Sequence, residues 1–156
     1  MIDAIIAGVV LIAALMYIFN TYTLAPEQDP TLRASEDFLK YLSGTKIRDY
    51  HSALVTNFTL EGKITDLDNT LLDQIAEFYY KGMSEEMDNL TQEVVDKAVV
   101  HERSVLFFFN GTLLHNRTVS SLSDTKLLIS AKRVTFLRVN ETTIFGPAWA
   151  EVRIWV

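Results

Sequence analysis

The chain has 156 residues, so it is expected to hold one modest domain plus whatever an apolar N-terminal segment adds, and a second large domain is not expected. With no cysteine it has no disulfide scaffold, thiolate metal site or cysteine nucleophile. A net charge of −6, with the cations scattered singly apart from Lys132-Arg133, argues against a phosphate-binding surface, and no nucleic-acid partner is expected.

From Ala4 to Phe19 all sixteen residues are apolar, aromatic or glycine. At about 1.5 Å per residue such a helix spans roughly 24 Å, slightly less than a bilayer core of about 30 Å. A buried globular helix rarely stays apolar on every face for four turns, so residues 1–24 are expected to form a transmembrane or filament-core helix. A cleaved secretory signal fits less well, because no Lys or Arg precedes Arg33. A charged leader removed from upstream of Met1 would account for that missing flank. Asp3 sits at the apolar boundary, where a carboxylate is tolerated or can pair with the terminal amine of a neighbouring copy. Ala4 and Gly8 form a small-xxx-small pair that lets helix backbones approach closely.

Residues 25–30 carry Pro26 and Pro30 and are expected to be a linker, leaving 31–156 as the head domain. Asp29-Pro30 predicts a helix start, and the helix should run to Ser43-Gly44, burying Leu32, Phe38, Leu39 and Leu42. A second helix is expected from Asp66–Asp68 to Gly82, with Leu67, Leu71, Ile75 and Phe78 on its apolar face. A third should start at Ser84, with Glu85 and Glu86 in its first turn, and bury Met87, Leu90, Val94 and Ala98.

After Arg103 the apolar period changes to two. Val105–Phe109 and Thr112–Thr118 flank Asn110-Gly111, which predicts a type I′ hairpin turn, and Leu127–Val139 and Ala148–Val156 supply further strands. Helices followed by an antiparallel meander give an α+β domain on a stalk helix. In the last strand Trp149 and Trp155 share a face with Glu151 and Arg153, a face expected to be covered by a helix of the same domain, a neighbouring subunit or a sugar.

Five of the seven asparagines stand in Asn-x-Thr triplets: Asn57, Asn89, Asn110, Asn116 and Asn140. That density points to an N-glycosylated domain outside the cytoplasm. Chemistry-bearing patterns are sparse. His51, His101 and His115 stand alone, without ligand spacing. Asp66-Leu-Asp68-Asn-Thr70, with Glu77 at the twelfth place, imitates a calcium loop. Leu71 occupies the place that its sharp turn reserves for glycine, so helix capping is the better reading. No nucleophile elbow, phosphate loop or dinucleotide fingerprint occurs, and neither an enzyme activity, a cofactor nor a metal is expected.

The segment Ile2–Ile12 resembles the mature start of archaeal type IV pilin-like proteins, whose class III signal peptides are cut immediately before the apolar helix. The closing Gly146–Trp155 is similar to the final strand of archaeal membrane-anchored pilin-like proteins, and dense sequons fit the same group. The place where bacterial pilins carry Glu is Ile5 here. The resemblance implies a cell-surface filament subunit that waits in the membrane until an assembly ATPase and membrane platform extract it into a homopolymer, or into a filament with related pilins. Polymerisation would run through Ile2, Asp3, Ala4, Ile5, Gly8, Val9, Ile12, Leu15 and Phe19, with Trp149 and Trp155 as further interface residues. The alternative is a singly anchored surface module binding an S-layer, a partner or a sugar, with the layout of archaellum stator proteins.

Overall fold

The computed structural model describes residues 30–121, 125, 127–138 and 144–156. The expected stalk helix, including every polymerisation residue from Ile2 to Phe19, and residues 25–29 of the expected linker lie outside the described residues, as does Asn140, whereas Pro30, expected to end the linker, is the first residue of a helix. In order, the elements are α1 (Pro30–Gly44), a 3-10 turn (Ile47–Asp49), α2 (Ala53–Leu60), α3 (Leu71–Lys81), α4 (Ser84–Ala98), β1 (Ser104–Phe109), β2 (Thr112–Arg117), β3 (Leu128–Arg138) and β4 (Ile144–Trp155). Among the described residues the fold is α+β: four α-helices and one antiparallel sheet of order β2-β1-β4-β3. Among the described residues no helix is long and apolar enough to cross a membrane.

The helices cover one face of the sheet. Val105, Phe107 and Phe109 from β1 and Ala148, Ala150, Val152 and Ile154 from β4 point into the core, all nearly or fully buried. This alternation follows from the period-2 pleat. Phe107 meets Phe38 of α1 edge-on at 6.0 Å, and Phe109 meets Tyr79 of α3 at 5.2 Å. The small Ala148 and Ala150 belong to the same buried cluster as the apolar side chains of α1 and α3. At the rim the Ser35 hydroxyl of α1 donates to the Ile129 carbonyl of β3 (3.1 Å).

Three helical expectations need correction. The second predicted helix starts after Thr70, not at Asp66–Asp68. Thr70 and Asp73 form a capping box, each side chain accepting from the other's backbone amide (3.2 and 3.4 Å), which ends the competition among the preceding turn formers. Leu67 is accordingly exposed, in a turn where Asp66 accepts from the Asp68 amide and Asp68 pairs with Lys46 and Arg48. The buried stripe of α4 runs Met87, Leu90, Thr91, Val94 and Val95, while Ala98 in its last turn faces solvent. Helix α2 was not anticipated. Ser52 caps it by accepting from the amides of Leu54 and Val55, and Phe58 packs edge-on against Phe78 at 5.8 Å.

The β1–β2 hairpin turns as its sequence predicts, with Asn110 at φ 50° and Gly111 at φ 84°, both in the positive region that a type I′ turn requires. Strand β4 begins at Ile144, four residues before the predicted Ala148. Gly146-Pro147 does not end the strand; it lies opposite a register shift in β3 between Thr135 and Leu137. A glycine and a proline are tolerated in a strand at such an irregularity.

Candidate interaction surface and modification sites

The outer face of the sheet, away from the helices, divides into three zones. At one end Ser104 is fully buried, and its hydroxyl oxygen accepts from the amides of Val119 and Ser120 (2.9 and 3.0 Å). This draws the chain after β2 across the sheet. The Trp155 indole lies under it, 2 % exposed, and donates to the Ser120 carbonyl at 3.1 Å. Trp155 is therefore covered by a segment of its own chain, neither by a helix nor by a partner.

In the middle zone Glu151 is the focus. Its carboxylate accepts from Lys132 Nζ (2.8 Å), Arg153 Nε (2.7 Å) and Ser130 Oγ (3.3 Å), while the Arg153 guanidinium lies 4.9 Å from the Phe108 ring. The Lys132 hydrogen bond holds the Glu151 carboxyl below the usual carboxylate range. Arg153 reinforces it, and burial works the other way. Lys132 and Arg153 are thereby already occupied on this face.

The third zone is apolar and open. Strand β1 ends where the Asn110 amide donates to the Trp149 carbonyl, so residues 144–148 of β4 and their β3 partners run on as a two-stranded ribbon. Trp149 and Val134 are opposite each other in register. Trp149 (42 % exposed), Val134, Phe136 and Ile144 all reach solvent, whereas Phe145, next to Ile144, turns to the helix side, where Tyr80 of α3 stacks on it at 4.7 Å. Several large apolar side chains together at one site are an unusual surface for a monomer, in contrast to single exposed leucines. Of the two tryptophans singled out by sequence, one is a structural residue and the other stands in an exposed patch.

The four described sequons fall on different backbones. Asn57 lies in α2 and Asn89 in α4, both exposed; Asn110 is in the hairpin turn; Asn116 is on β2, a terminal strand of the sheet. Their third residues differ more. The Thr59 hydroxyl donates to the Val55 carbonyl (2.8 Å), and Thr91 is buried with its hydroxyl unpartnered. Thr118 is exposed and donates to the side-chain oxygen of Asn116 (2.8 Å).

The histidines stay apart. His115 faces α4 from β2, with Nε2 buried and unpartnered. Burial pulls its pKa below the ordinary value, Asp96 and Asp88 oppose this, and Arg117 adds to it. The residues of the calcium-loop imitation take structural roles, with Glu77 accepting from Asn69 (2.9 Å) and pairing with Lys81. Among the described residues no group of three His, Asp or Glu side chains could hold a metal. An open groove of about 380 Å³ lies between α1 and β3, lined by Glu36, Leu39, Lys40 and residues 130–133. Sequence reasoning missed the Ser104–Ser120 closure, because a serine at a strand start carries no distinctive signal. No family model, curated protein or solved structure matches the chain.

Proposed function

We propose that this chain is a structural subunit, a pilin or minor pilin-like protein, of an archaeal type IV pilus-like extracellular filament. The observation that carries the reading is the sixteen-residue apolar run Ala4–Phe19 joined to an α+β domain rich in sequons. Before assembly the run anchors the protein in the membrane. An assembly ATPase and its platform then supply the work of extraction, because helix association against lipid gains only from close packing. Ala4 and Gly8 provide that close approach, and the glycosylated head stays outside. The role is structural, without a catalytic centre or cofactor.

The exposed patch around Trp149 and Phe136 supports a second reading, a singly anchored surface module whose head binds a partner. Sedimentation and electron microscopy of surface fractions from cells making the native protein separate the two. Helical filaments that disappear in Gly8→Leu, with membrane insertion retained, are expected. A protein that extracts only as a monomer or dimer and never pellets as a polymer overturns the filament reading.

A further inference from the structure

The four described sequons are not equivalent, and we infer that Asn116 is the one among them that accepts N-linked oligosaccharide in the folded domain, whereas Asn57 and Asn89 are acceptors only before their helices form. The inference rests on the extracytoplasmic reading above and adds to it which nitrogen is modified and when.

Transfer to a sequon asks for three things: a reachable amide nitrogen, an extended acceptor backbone, and a solvent-exposed hydroxyl two residues on that is not tied to the backbone. Asn116 meets all three. It is the next-to-last residue of an extended terminal strand whose far edge pairs with no other described strand. Side chains i and i+2 of an extended chain share a side, so Asn116 and Thr118 sit together and Arg117 points the opposite way. Arg117 is anchored there: its guanidinium donates to the carbonyls of Val99 (3.1 Å), Val100 (2.8 Å) and Arg103 (3.3 Å) and meets Asp96 at 3.2 Å. The middle residue of the triplet is thus fixed to the helix layer while its outer two face solvent. Thr118 gives its hydroxyl proton to Asn116 Oδ1, leaving Nδ2 without a partner among the described residues.

The helical sequons fail on backbone and on hydroxyl. At Asn57 the Thr59 hydroxyl is engaged by Val55, and at Asn89 Thr91 is 1 % exposed inside the core. Using either requires unwinding a helix. At Asn110 the backbone is bent to φ 50° in the tight turn and its backbone N–H donates to the Trp149 carbonyl.

The co-substrate is a lipid-phosphate-linked oligosaccharide. Nδ2 of Asn116 attacks the anomeric carbon and a C–N bond forms. The C–O bond to the lipid phosphate breaks with its electron pair leaving on the phosphate, and the amide nitrogen gives up one proton to a base of the transferase.

The test uses full-length protein made in a host that adds no glycans. It is offered to oligosaccharyltransferase-containing membranes with their lipid-linked donor, once folded in detergent and once denatured, and the sites are mapped by glycopeptide mass spectrometry. Folded protein is expected to be modified at Asn116 at least tenfold faster than at Asn57 or Asn89, with the preference disappearing in the denatured chain. Asn116→Gln and Thr118→Ala should abolish transfer to the described sequons of the folded form, and Thr118→Ser should restore it. Modification of Asn57 or Asn89 at a comparable rate in folded protein, or of Asn110 in place of Asn116, overturns the assignment and leaves glycosylation standing. No transfer to either form overturns glycosylation itself.

Discussion

Gly146 offers a severe test of the ribbon that carries Trp149. Its φ is +133°, a backbone region essentially closed to residues with a side chain, at a cost of about 1–3 kcal/mol. An added Cβ would stand 3.0 Å from Phe136 Cδ1, 3.2 Å from the Thr135 carbonyl oxygen and 3.3 Å from Phe136 Cα. The Phe136 ring is exposed and can swing away, but the other two atoms belong to the paired strand and move only with it. Overpacking of this kind adds about 1 kcal/mol, so Gly146→Ala should cost about 2–4 kcal/mol in total. Gly82, the left-handed cap of α3 at φ +69°, is the internal control. A Cβ there meets nothing within 4 Å, and Gly82→Ala should cost only about 1 kcal/mol. Urea unfolding of the full-length protein in mild detergent gives the comparison. Trp149 and Trp155 are the sole tryptophans and both lie on β4, so their fluorescence reports the sheet directly, while far-UV circular dichroism reports the helices. Gly146→Ala should lower the midpoint well beyond Gly82→Ala and shift native fluorescence. Equal costs for the two, with native emission unchanged, would refute the placement of Gly146 against β3.

Three more outcomes follow from the same geometry. Iodide or acrylamide should quench Trp149 and leave Trp155 nearly untouched, as read in Trp149→Phe and Trp155→Phe; equal quenching would sink the Ser104–Ser120 closure. Thr91→Val removes a buried hydroxyl without a partner and should stabilise the fold by about 1 kcal/mol, while deleting the Asn89 sequon; a loss of stability in chemical denaturation contradicts the unpartnered hydroxyl. His115 and Glu151 both have folded pKa values below their unfolded ones, so each contributes stability that is complete at high pH. The His115 contribution should fade as pH falls below about 6.5, and the Glu151 contribution as it falls below about 4.3. His115→Gln and Glu151→Gln should each flatten the stability curve in its own window, and an unchanged slope would show that the group is not linked to folding.

The sequence carried the helices where termini and apolar period agreed. Pro30, Gly44, Ser84 and Gly82 mark ends that the structure reproduces, and Met87, Leu90 and Val94 are buried as their spacing requires. It failed where local signals compete. Asp66, Asp68 and Thr70 can all cap a helix, and only the reciprocal bonding of Thr70 with Asp73 decides among them. Ala53–Leu60 contains β-branched residues that are weak helix formers, and its helix depends on Phe58 meeting Phe78, a contact between distant segments. The same limit applies to the outer face. Alternation puts Trp149 and Trp155 on one side of β4, but Ser104 and Ser120, 16 residues apart, determine that only one of them is covered.

Charge bears on how heads could meet in the proposed filament. Residues 30–103, the helix layer, carry fourteen acidic against eight basic side chains, whereas residues 104–156, the strands and their loops, carry three against six. Contact between like faces of two copies sets like charge against like, whereas contact between a helix layer and a neighbour's strand layer sets opposite signs together. The second arrangement is heterologous, and a heterologous contact whose rotation does not close generates an open helical polymer. An oligosaccharide on Asn116 would block the β2 edge, which leaves the ribbon end with Trp149 as the accessible part of the strand layer. Head-to-head contact energy in such a filament is then partly electrostatic. Raising salt from about 0.1 M to about 1 M shortens the screening length from roughly 10 Å to 3 Å and should raise the subunit concentration needed for assembly. Trp149→Ser should raise it further at every salt concentration. With about 100 Å² of indole left exposed for a neighbour, the apolar loss is at most about 2.5 kcal/mol, or some sixtyfold. Filaments whose critical concentration ignores both salt and Trp149→Ser would be held by their N-terminal helices alone, and the heads would contribute no contact.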